Sequence, residues 1–171
     1  MCQDTLVKET DAVDRIIDQW REQRPDLDPS AKAVTGRIVR ASDLILRRCR
    51  EPIAPLGVKD GEYSALVALR RSGVPYELSP AALTQQLMVT SGGLSLMVDR
   101  LERDGLVRRR PNPDDRRGVL VSLTKRGVAV VDEAMTAHAT VEQELVAGLT
   151  AREQEQLARL LAKLLATIEA S

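Results

Sequence analysis

The sequence predicts a mainly α-helical fold with one small β-hairpin. Three observations predict it: two short helical patterns only a few residues apart in the middle of the chain, two β-prone runs directly after them, and long amphipathic patterns at both ends. The apolar residues of the 171-residue chain are mostly Leu, Val, Ala and Ile. A chain of this length and composition can bury one aliphatic core.

Composition limits the classes of function. Twenty-five basic and 25 acidic side chains give no formal net charge, so binding that depends on overall charge is not expected. The chain has no Phe, one Trp and two Tyr, which argues against base stacking on single-stranded nucleic acid. Residues 99–126 carry nine basic and five acidic side chains, which predicts a local basic patch.

The rarer residue types predict neither a metal site nor a cofactor. Cys2 and Cys49 lack metal-ligand spacing and are too few for a disulfide framework. A single histidine, no glycine-rich phosphate loop and no nucleophile elbow argue against an enzyme. The chain shows no secretion signal and no apolar run near the roughly 20 residues that span a bilayer. We therefore expect a soluble, cytoplasmic protein.

Amphipathic helices are predicted along the first part of the chain. The first carries Val13, Ile16 and Trp20 at helical spacing and ends before the next proline. A second apolar stripe runs over residues 34–49, and a third helix is expected over residues 60–72.

Two short helices then follow each other closely. Ser79-Pro80 is a favourable helix start, because the serine can accept a free backbone N–H and the proline already has helical φ. Thr90-Ser91 offers a second start soon after the first helix ends near Leu87. Two short helices joined by a tight turn form a helix-turn-helix. The alternative is that residues 91–93 are merely a loop.

A β-hairpin is expected after the second short helix. Residues 106–110 and 119–123 are β-prone and flank Pro111-Asn112-Pro113-Asp114-Asp115, which predicts a hairpin with a long basic tip. Together with the two helices this is a winged helix-turn-helix. Arg116 or Arg117 at the tip could enter the minor groove of DNA with support from Asp115. A solvated charged turn is the alternative.

The helix-turn-helix predicts which residues contact DNA. Its second helix enters the major groove with its N-terminal side chains nearest the base edges. Small residues there let the backbone N–H groups approach phosphate. The predicted DNA-binding residues are Thr90, Ser91, Gly92, Ser95, Arg100, Asp115, Arg116 and Arg117.

The end of the chain predicts dimerisation helices. A long helix begins at Thr124, and a capping box at Thr150–Glu153 begins a last helix with a leucine-rich stripe. This stripe could pack on the chain's own core, but we favour packing against a second subunit. The predicted interface residues are Val13, Ile16, Leu157, Leu161, Leu164 and Ile168. We expect dimerisation helices with a possible ligand pocket over 1–55, a DNA-binding lobe over 56–124 and dimerisation helices over 125–171.

Residues 90–107, followed by Asp115-x-Arg117, residues 121–124 and Gly127, closely resemble the MarR family of bacterial transcription regulators. The resemblance extends from about Ile38 to Ile168. It implies a homodimer that binds pseudo-palindromic operator DNA, most often as a repressor. It also implies release from DNA by a small phenolic or anionic ligand.

The N-terminal helix with Trp20 is similar to the urate-responsive branch of this family. Trp20 and Arg109 match two positions of that branch, whereas Ser64 replaces its Asp and Met97 its recognition-helix Arg. The resemblance implies a ligand site at these four residues for a small aromatic or carboxylate anion, and the two departures argue against urate itself. Alternatively, Trp20 packs in the dimer interface and Arg109 faces DNA phosphate.

Two further functions stay open from the sequence. Cys49 could make the protein a redox-responsive regulator, since some relatives sense oxidants through one cysteine, but a buried inert thiol is favoured. A winged-helix adaptor that binds proteins instead of DNA is the other alternative. The lone His138 is expected to have a packing role rather than to bind metal.

Overall fold

The computed structural model describes residues 10–113 and 115–170, and of residues 116 and 117 it describes the backbone. Its helices are α1 (Ala12–Gln23), α2 (Lys32–Arg50), α3 (Asp60–Arg71), α4 (Pro80–Leu87), α5 (Ser91–Arg103), α6 (Lys125–Val146) and α7 (Ala151–Glu169), with a short 3-10 helix at Ala54–Leu56. Its strands are β1 (Glu77–Leu78), β2 (Val107–Asn112) and β3 (Asp115–Leu123), which form an antiparallel sheet in the order β1-β3-β2. This architecture confirms the predicted fold class.

The chain divides into two compact units between Arg47 and Arg48, within α2. In the N-terminal unit, Asp11 caps α1 by accepting from the backbone N–H of Val13 at 2.7 Å and of Asp14 at 3.0 Å. Arg37 of α2 binds the carboxylates of Asp11 at 2.9 Å and Asp14 at 2.8 Å. Gly36 lets α2 approach α1 closely, because a Cβ on it would lie 3.0 Å from Val13 Cγ1.

The core of the C-terminal unit lies among α3, α4, α5, the sheet and the first part of α6. These elements contribute aliphatic side chains that exclude water almost completely, so the core fixes α5 relative to the sheet. The largest apolar side chains that are fully buried are those of Leu66, Leu69, Leu83, Leu101, Val107, Val121 and Val131.

Both helices of the helix-turn-helix begin at the predicted caps. Ser79 Oγ accepts from the backbone N–H of Ala82 at 3.2 Å, and Thr90 Oγ1 accepts from that of Gly93 at 3.1 Å. Met88 ends α4 in the left-handed region with φ 51°. The interpretation of residues 91–93 as a loop is wrong, because they form the first turn of α5.

The wing has longer strands than the sequence predicts. Strands β2 and β3 stay paired as far as Asn112 opposite Asp115, so residues 116 and 117 lie in β3 and not in a long tip. Asp114 lies outside the described residues. Pro111 is tolerated because β2 is an edge strand of the sheet, where a missing N–H costs no ladder bond.

The first turn of α6 is fixed tightly to the end of α5. Thr124 Oγ1 accepts from the backbone N–H of Gly127 at 2.9 Å and donates to the carbonyl of Gly105 at 2.7 Å. A Cβ on Gly127 would lie 1.9 Å from the carbonyl oxygen of Leu106. A larger residue at position 127 would collide with this oxygen, so only glycine lets the first turn of α6 lie so close to the backbone of Leu106.

Helix α7 begins at the predicted capping box. The backbone N–H of Glu153 donates to Thr150 Oγ1 at 3.3 Å, and that of Thr150 donates to Glu153 Oε2 at 2.8 Å. None of its 19 residues is buried. Across the residues that the structure describes, no helix combines the length and apolarity needed to cross a membrane.

Candidate nucleic-acid interface and the adjoining cavity

The N-terminal half of α5 presents the residues predicted to contact DNA. Thr90, Ser91, Gly92 and Ser95 are all exposed, whereas Leu94, Val98 and Leu101 are buried on the opposite side of the helix. The polar face is therefore held in place by the core behind it. Its small side chains leave the helix N-terminus open to an anion.

Sequence reasoning missed one large side chain on this exposed face. Leu96 is 62% exposed, whereas the buried residues Leu94, Val98 and Leu101 lie on the opposite side of the helix. The signal was available, because residue 96 falls between the buried positions 94 and 98 and so out of phase with the core stripe.

Arg100 is tied to α3. Its guanidinium lies 3.4 Å from Oε1 of the buried Glu62, whose other carboxylate oxygen accepts from the backbone N–H of Lys59 at 3.0 Å. The side chain is nevertheless 43% exposed. Arg100 thus links α5 to α3, and part of its side chain stays exposed to solvent.

Arg109 of β2 is held by two carboxylates of α5. Its guanidinium lies 2.6 Å from Asp99 Oδ1 and contacts Glu102, which also accepts from the Arg109 backbone N–H at 2.8 Å. Burial disfavours the Arg109 cation, but these hydrogen bonds outweigh it and raise the pKa of Arg109. The backbone and side-chain hydrogen bonds from Arg109 lower the pKa of Glu102.

A cavity of about 500 Å³ lies beside this pair, between the helix-turn-helix and the sheet. Its lining combines apolar side chains with hydroxyl groups and one guanidinium, a mixture typical of small-molecule sites. The lining residues are Pro80, Ala81, Thr84, Gln85, Ser91, Leu94, Ser95, Val98, Arg109 and Val121.

The other residues predicted to bind ligand lie elsewhere. The Ser64 hydroxyl is exposed and donates to the Asp60 carbonyl at 3.0 Å. Met97 is half-buried, and its Cε lies 3.0 Å from the position of a Cβ on Gly61. Neither residue lines the cavity that Arg109 lines. Trp20 belongs to the N-terminal unit, where it is 41% exposed.

Several basic side chains of the wing are already paired. Arg110 Nε lies 2.6 Å from Glu77 Oε2, and Arg108 Nε donates to Ser122 Oγ at 3.3 Å. Asp115 folds over Gly118, because its Oδ2 lies 3.0 Å from where a Cβ on that glycine would be. Among the described side chains, the carboxylates of Glu77, Asp99 and Glu102 therefore offset part of the basic charge predicted for residues 99–126.

The cysteine and histidine of the C-terminal unit are packed. Cys49 is buried, and burial together with the Glu142 carboxylate raises the pKa of its thiol. A thiol of this kind is a poor nucleophile, which supports the inert interpretation. The His138 ring stacks on Tyr63 with centroids 5.7 Å apart. Among the described residues, no three potential ligands cluster in a way that could hold a metal ion.

The predicted interface residues differ in exposure. Ile16, Leu157, Leu161 and Ile168 are exposed, Leu164 is half-buried, and Val13 is already buried within the N-terminal unit. The α7 stripe is thus exposed over most of its length within one chain, and none of its residues is fully buried.

Solved structures resemble this fold. The crystal structure of wild-type MarR from Escherichia coli, in its apo form, aligns with a TM-score of 0.66 and 34% identity over 77% of this chain and 96% of MarR. A mutant MarR complexed with operator DNA aligns with a TM-score of 0.66 and 33% identity over 81% and 99% of the two chains. AbsC of Streptomyces coelicolor has a TM-score of 0.73 at 20% identity, over 85% of this chain and 98% of AbsC, and shows the fold alone.

The sequence comparisons agree with these structures. The profile of the MarR family matches residues 56–118. The HTH-type transcriptional regulator PecS of Dickeya dadantii is 34% identical over 151 residues, which cover 88% of this chain and 91% of PecS. The multiple antibiotic resistance protein MarR of E. coli is 37% identical over 70% of this chain and 81% of its own. These relatives are regulators, in agreement with the prediction that the chain is not an enzyme. The chain belongs to the MarR family of transcriptional regulators.

Proposed function

We propose that this protein is a ligand-responsive repressor that binds pseudo-palindromic operator DNA as a homodimer. The observation that carries the proposal is the exposed face of α5, where Ser91, Gly92 and Ser95 stand at a helix N-terminus that a buried core holds in place. The E. coli MarR structure with operator DNA supports this use of the fold.

Direct contact with DNA is assigned to α5 and the wing. The N-terminal residues of α5 are small, so its free backbone N–H groups can approach a phosphate closely. Thr90 has its hydroxyl turned to the Gly93 N–H as a cap, which leaves Ser91 and Ser95 to contact base edges. The backbone of residues 116 and 117 runs along the outer part of β3, where arginines can reach the minor groove.

The homodimer is proposed from the uncovered stripe of α7. Leucines and an isoleucine recur along the helix and none of them is buried. A monomer would leave this stripe in water, whereas a second copy offers an equivalent stripe through twofold symmetry. A symmetric dimer presents two α5 helices, which suits a pseudo-palindromic site.

The effector is proposed to be a small aromatic or carboxylate anion that binds at Arg109. The cavity beside Arg109 supplies apolar walls and hydroxyl groups. A guanidinium has five N–H donors, so Arg109 can bind a further carboxylate beside Asp99 and Glu102. Ser91 and Ser95 line the same cavity and also lie on the DNA-facing helix. An anion there would release DNA if it binds the DNA-incompetent arrangement more tightly.

Trp20 is retained in the proposed effector site as an aromatic surface from the N-terminal helix. The similarity to the urate-responsive branch supports this role, and Trp20 keeps 41% of its surface exposed within the chain. Ser64 and Met97 are expected to contribute little, since their side chains are engaged with α3.

The DNA-binding proposal is tested by a gel shift with the DNA that flanks the protein's own gene, at several salt concentrations. We expect a sequence-selective complex whose affinity falls steeply with salt, because phosphate contacts release counterions. Arg116→Ala and Arg117→Ala should weaken binding with the fold intact, whereas Arg159→Ala, an exposed arginine of α7, should not. A protein adaptor would give no sequence-selective shift.

The effector proposal is tested by adding benzoate, 4-hydroxybenzoate or urate to the preformed complex. Arg109→Ala and Trp20→Ala should each raise the concentration of the active anion needed for release. Arg110→Ala is the matched control, since its side chain binds Glu77 and does not line the cavity. Undiminished release from both variants would place the effector site elsewhere.

A further inference from the structure

The exposed leucine of α5 has no covering partner on its own helix. A leucine in a helix leans over the turn that precedes it, and residues 92 and 93 in that turn are both glycine. A Cβ on Gly92 would meet no atom within 4 Å. Leu96 therefore stands as an isolated apolar group, 62% exposed, on a face that otherwise carries serines and glycines.

The residues one turn later cannot cover Leu96 either, because they are engaged with other elements. Asp99 binds Arg109 of β2 at 2.6 Å, and Arg100 binds Glu62 of α3 at 3.4 Å. Met97, its apolar neighbour, is turned toward Gly61 of α3. Asp99, Arg100 and Met97 are thus engaged with other elements, and Leu96 is left exposed.

We propose that Leu96 recognises the 5-methyl group of a thymine in each half of the DNA site. The major groove offers one apolar group on its base edges, and that is the thymine methyl. A serine hydroxyl can donate or accept and so distinguishes bases weakly, which leaves the leucine as the selective element of this face. The inference rests on the proposed function, because it requires α5 to lie in the major groove.

The experiment uses the full-length protein and a duplex that wild-type protein selects from a random DNA library. Each thymine of this duplex is replaced in turn by deoxyuridine, which removes only the methyl group. We expect one thymine in each half-site at which the replacement weakens wild-type binding by roughly three- to five-fold, the effect of burying one methyl group.

The variant Leu96→Ala should bind the thymine and deoxyuridine duplexes equally well at that position. Its fold should be intact, because residue 96 is exposed and alanine favours the helix. Leu96→Met, which keeps an apolar contact, and Ser95→Ala, on the same face, should both retain the sensitivity to the methyl group.

Two results would overturn the inference while leaving the proposed function in place. One is selective DNA binding that no deoxyuridine replacement weakens, as expected if Leu96 serves a protein partner. The other is that the deoxyuridine replacement weakens binding by Leu96→Ala as much as it weakens binding by the wild-type protein. Absence of any sequence-selective binding by the wild-type protein would instead overturn the proposed function, and this inference with it.

Discussion

The helix-turn-helix lobe and helix α7 use the same aliphatic residue types with opposite burial. In the lobe, Leu66, Leu69 and Leu83 are almost completely removed from water, whereas α7 carries six Leu and Ile residues and buries none. Full burial of such a side chain contributes about 1.5–3 kcal/mol. The lobe gains this free energy within one chain, while α7 can gain it only from another surface. This contrast in burial is the physical basis for the proposal that α7 forms a dimer interface.

The largest effect is expected where burial is complete. Leu69→Ala should lower the free energy of unfolding by about 3 kcal/mol, because it removes apolar atoms and leaves a cavity that the core fills only partly. Leu69 is 0% exposed. Urea unfolding at fixed protein concentration measures the change. Val74→Ala, at a position 81% exposed, is the control and should change stability little. Equal effects of the two variants would contradict the assigned core.

The second prediction places a charge on the exposed apolar stripe of α7. Leu161→Glu should raise the dimer dissociation constant by at least about 100-fold, because the interface would have to bury an unpaired carboxylate. Each lobe should stay folded, so sedimentation should show folded monomers. Ala166→Glu places the same charge on the opposite side of α7 and should leave the dimer intact. A wild-type protein that is a folded monomer at micromolar concentration would contradict the proposed dimer.

The third prediction concerns Gly127 in the first turn of α6, where the helix-turn-helix lobe joins the long C-terminal helices. Gly127→Ala should cost about 1–3 kcal/mol in unfolding free energy, because the added methyl group forces backbone apart. The Cβ would lie 1.9 Å from the Leu106 carbonyl oxygen. Gly148→Ala is the matched control, since a Cβ there meets nothing within 4 Å. If calorimetry or urea unfolding finds the two variants equally stable, the close approach of α6 is not as described.

Local signals in the sequence predicted most of the helices. The caps at Ser79, Thr90 and Thr150 and the apolar periodicity of each helix depend on near neighbours, so the sequence contains them directly. Strand β1 was missed because two residues are too few for a pattern to emerge. The extension of β2 through Pro111 was missed because strand pairing depends on the partner strand.

The candidate site was less predictable than the fold. Leu96 and Met97 are adjacent apolar residues, and only the helical phase set by the core separates the outward side chain from the inward one. The pairing of Arg109 with Asp99 and Glu102 joins a strand to a helix across a turn. Such contacts follow from the packing of elements and leave no periodic trace in the sequence.

The smallest expected effect concerns this last pair. Glu102→Gln should lower the free energy of unfolding at pH 7 by less than about 1 kcal/mol, because exposed ion pairs are screened by solvent. The Glu102 side chain is 38% exposed. Arg109 holds the pKa of Glu102 below its ordinary value, first through its backbone N–H and then through its guanidinium. Urea unfolding of both proteins between pH 7 and pH 3 measures the difference.

The sign of the pH dependence follows from the lowered pKa. A carboxyl group whose pKa falls on folding stabilises the native state while it is ionised, so its contribution is complete above its ordinary pKa of about 4.3. The contribution is lost as the pH falls through the lower pKa of the folded state. At pH 7 the wild-type protein should therefore have a higher free energy of unfolding than Glu102→Gln, and this difference should shrink toward acid pH. Glu155→Gln, at an exposed carboxyl of α7, is the control and should track the wild type throughout. A difference in unfolding free energy that grows toward acid pH would mean that Arg109 does not stabilise the ionised Glu102.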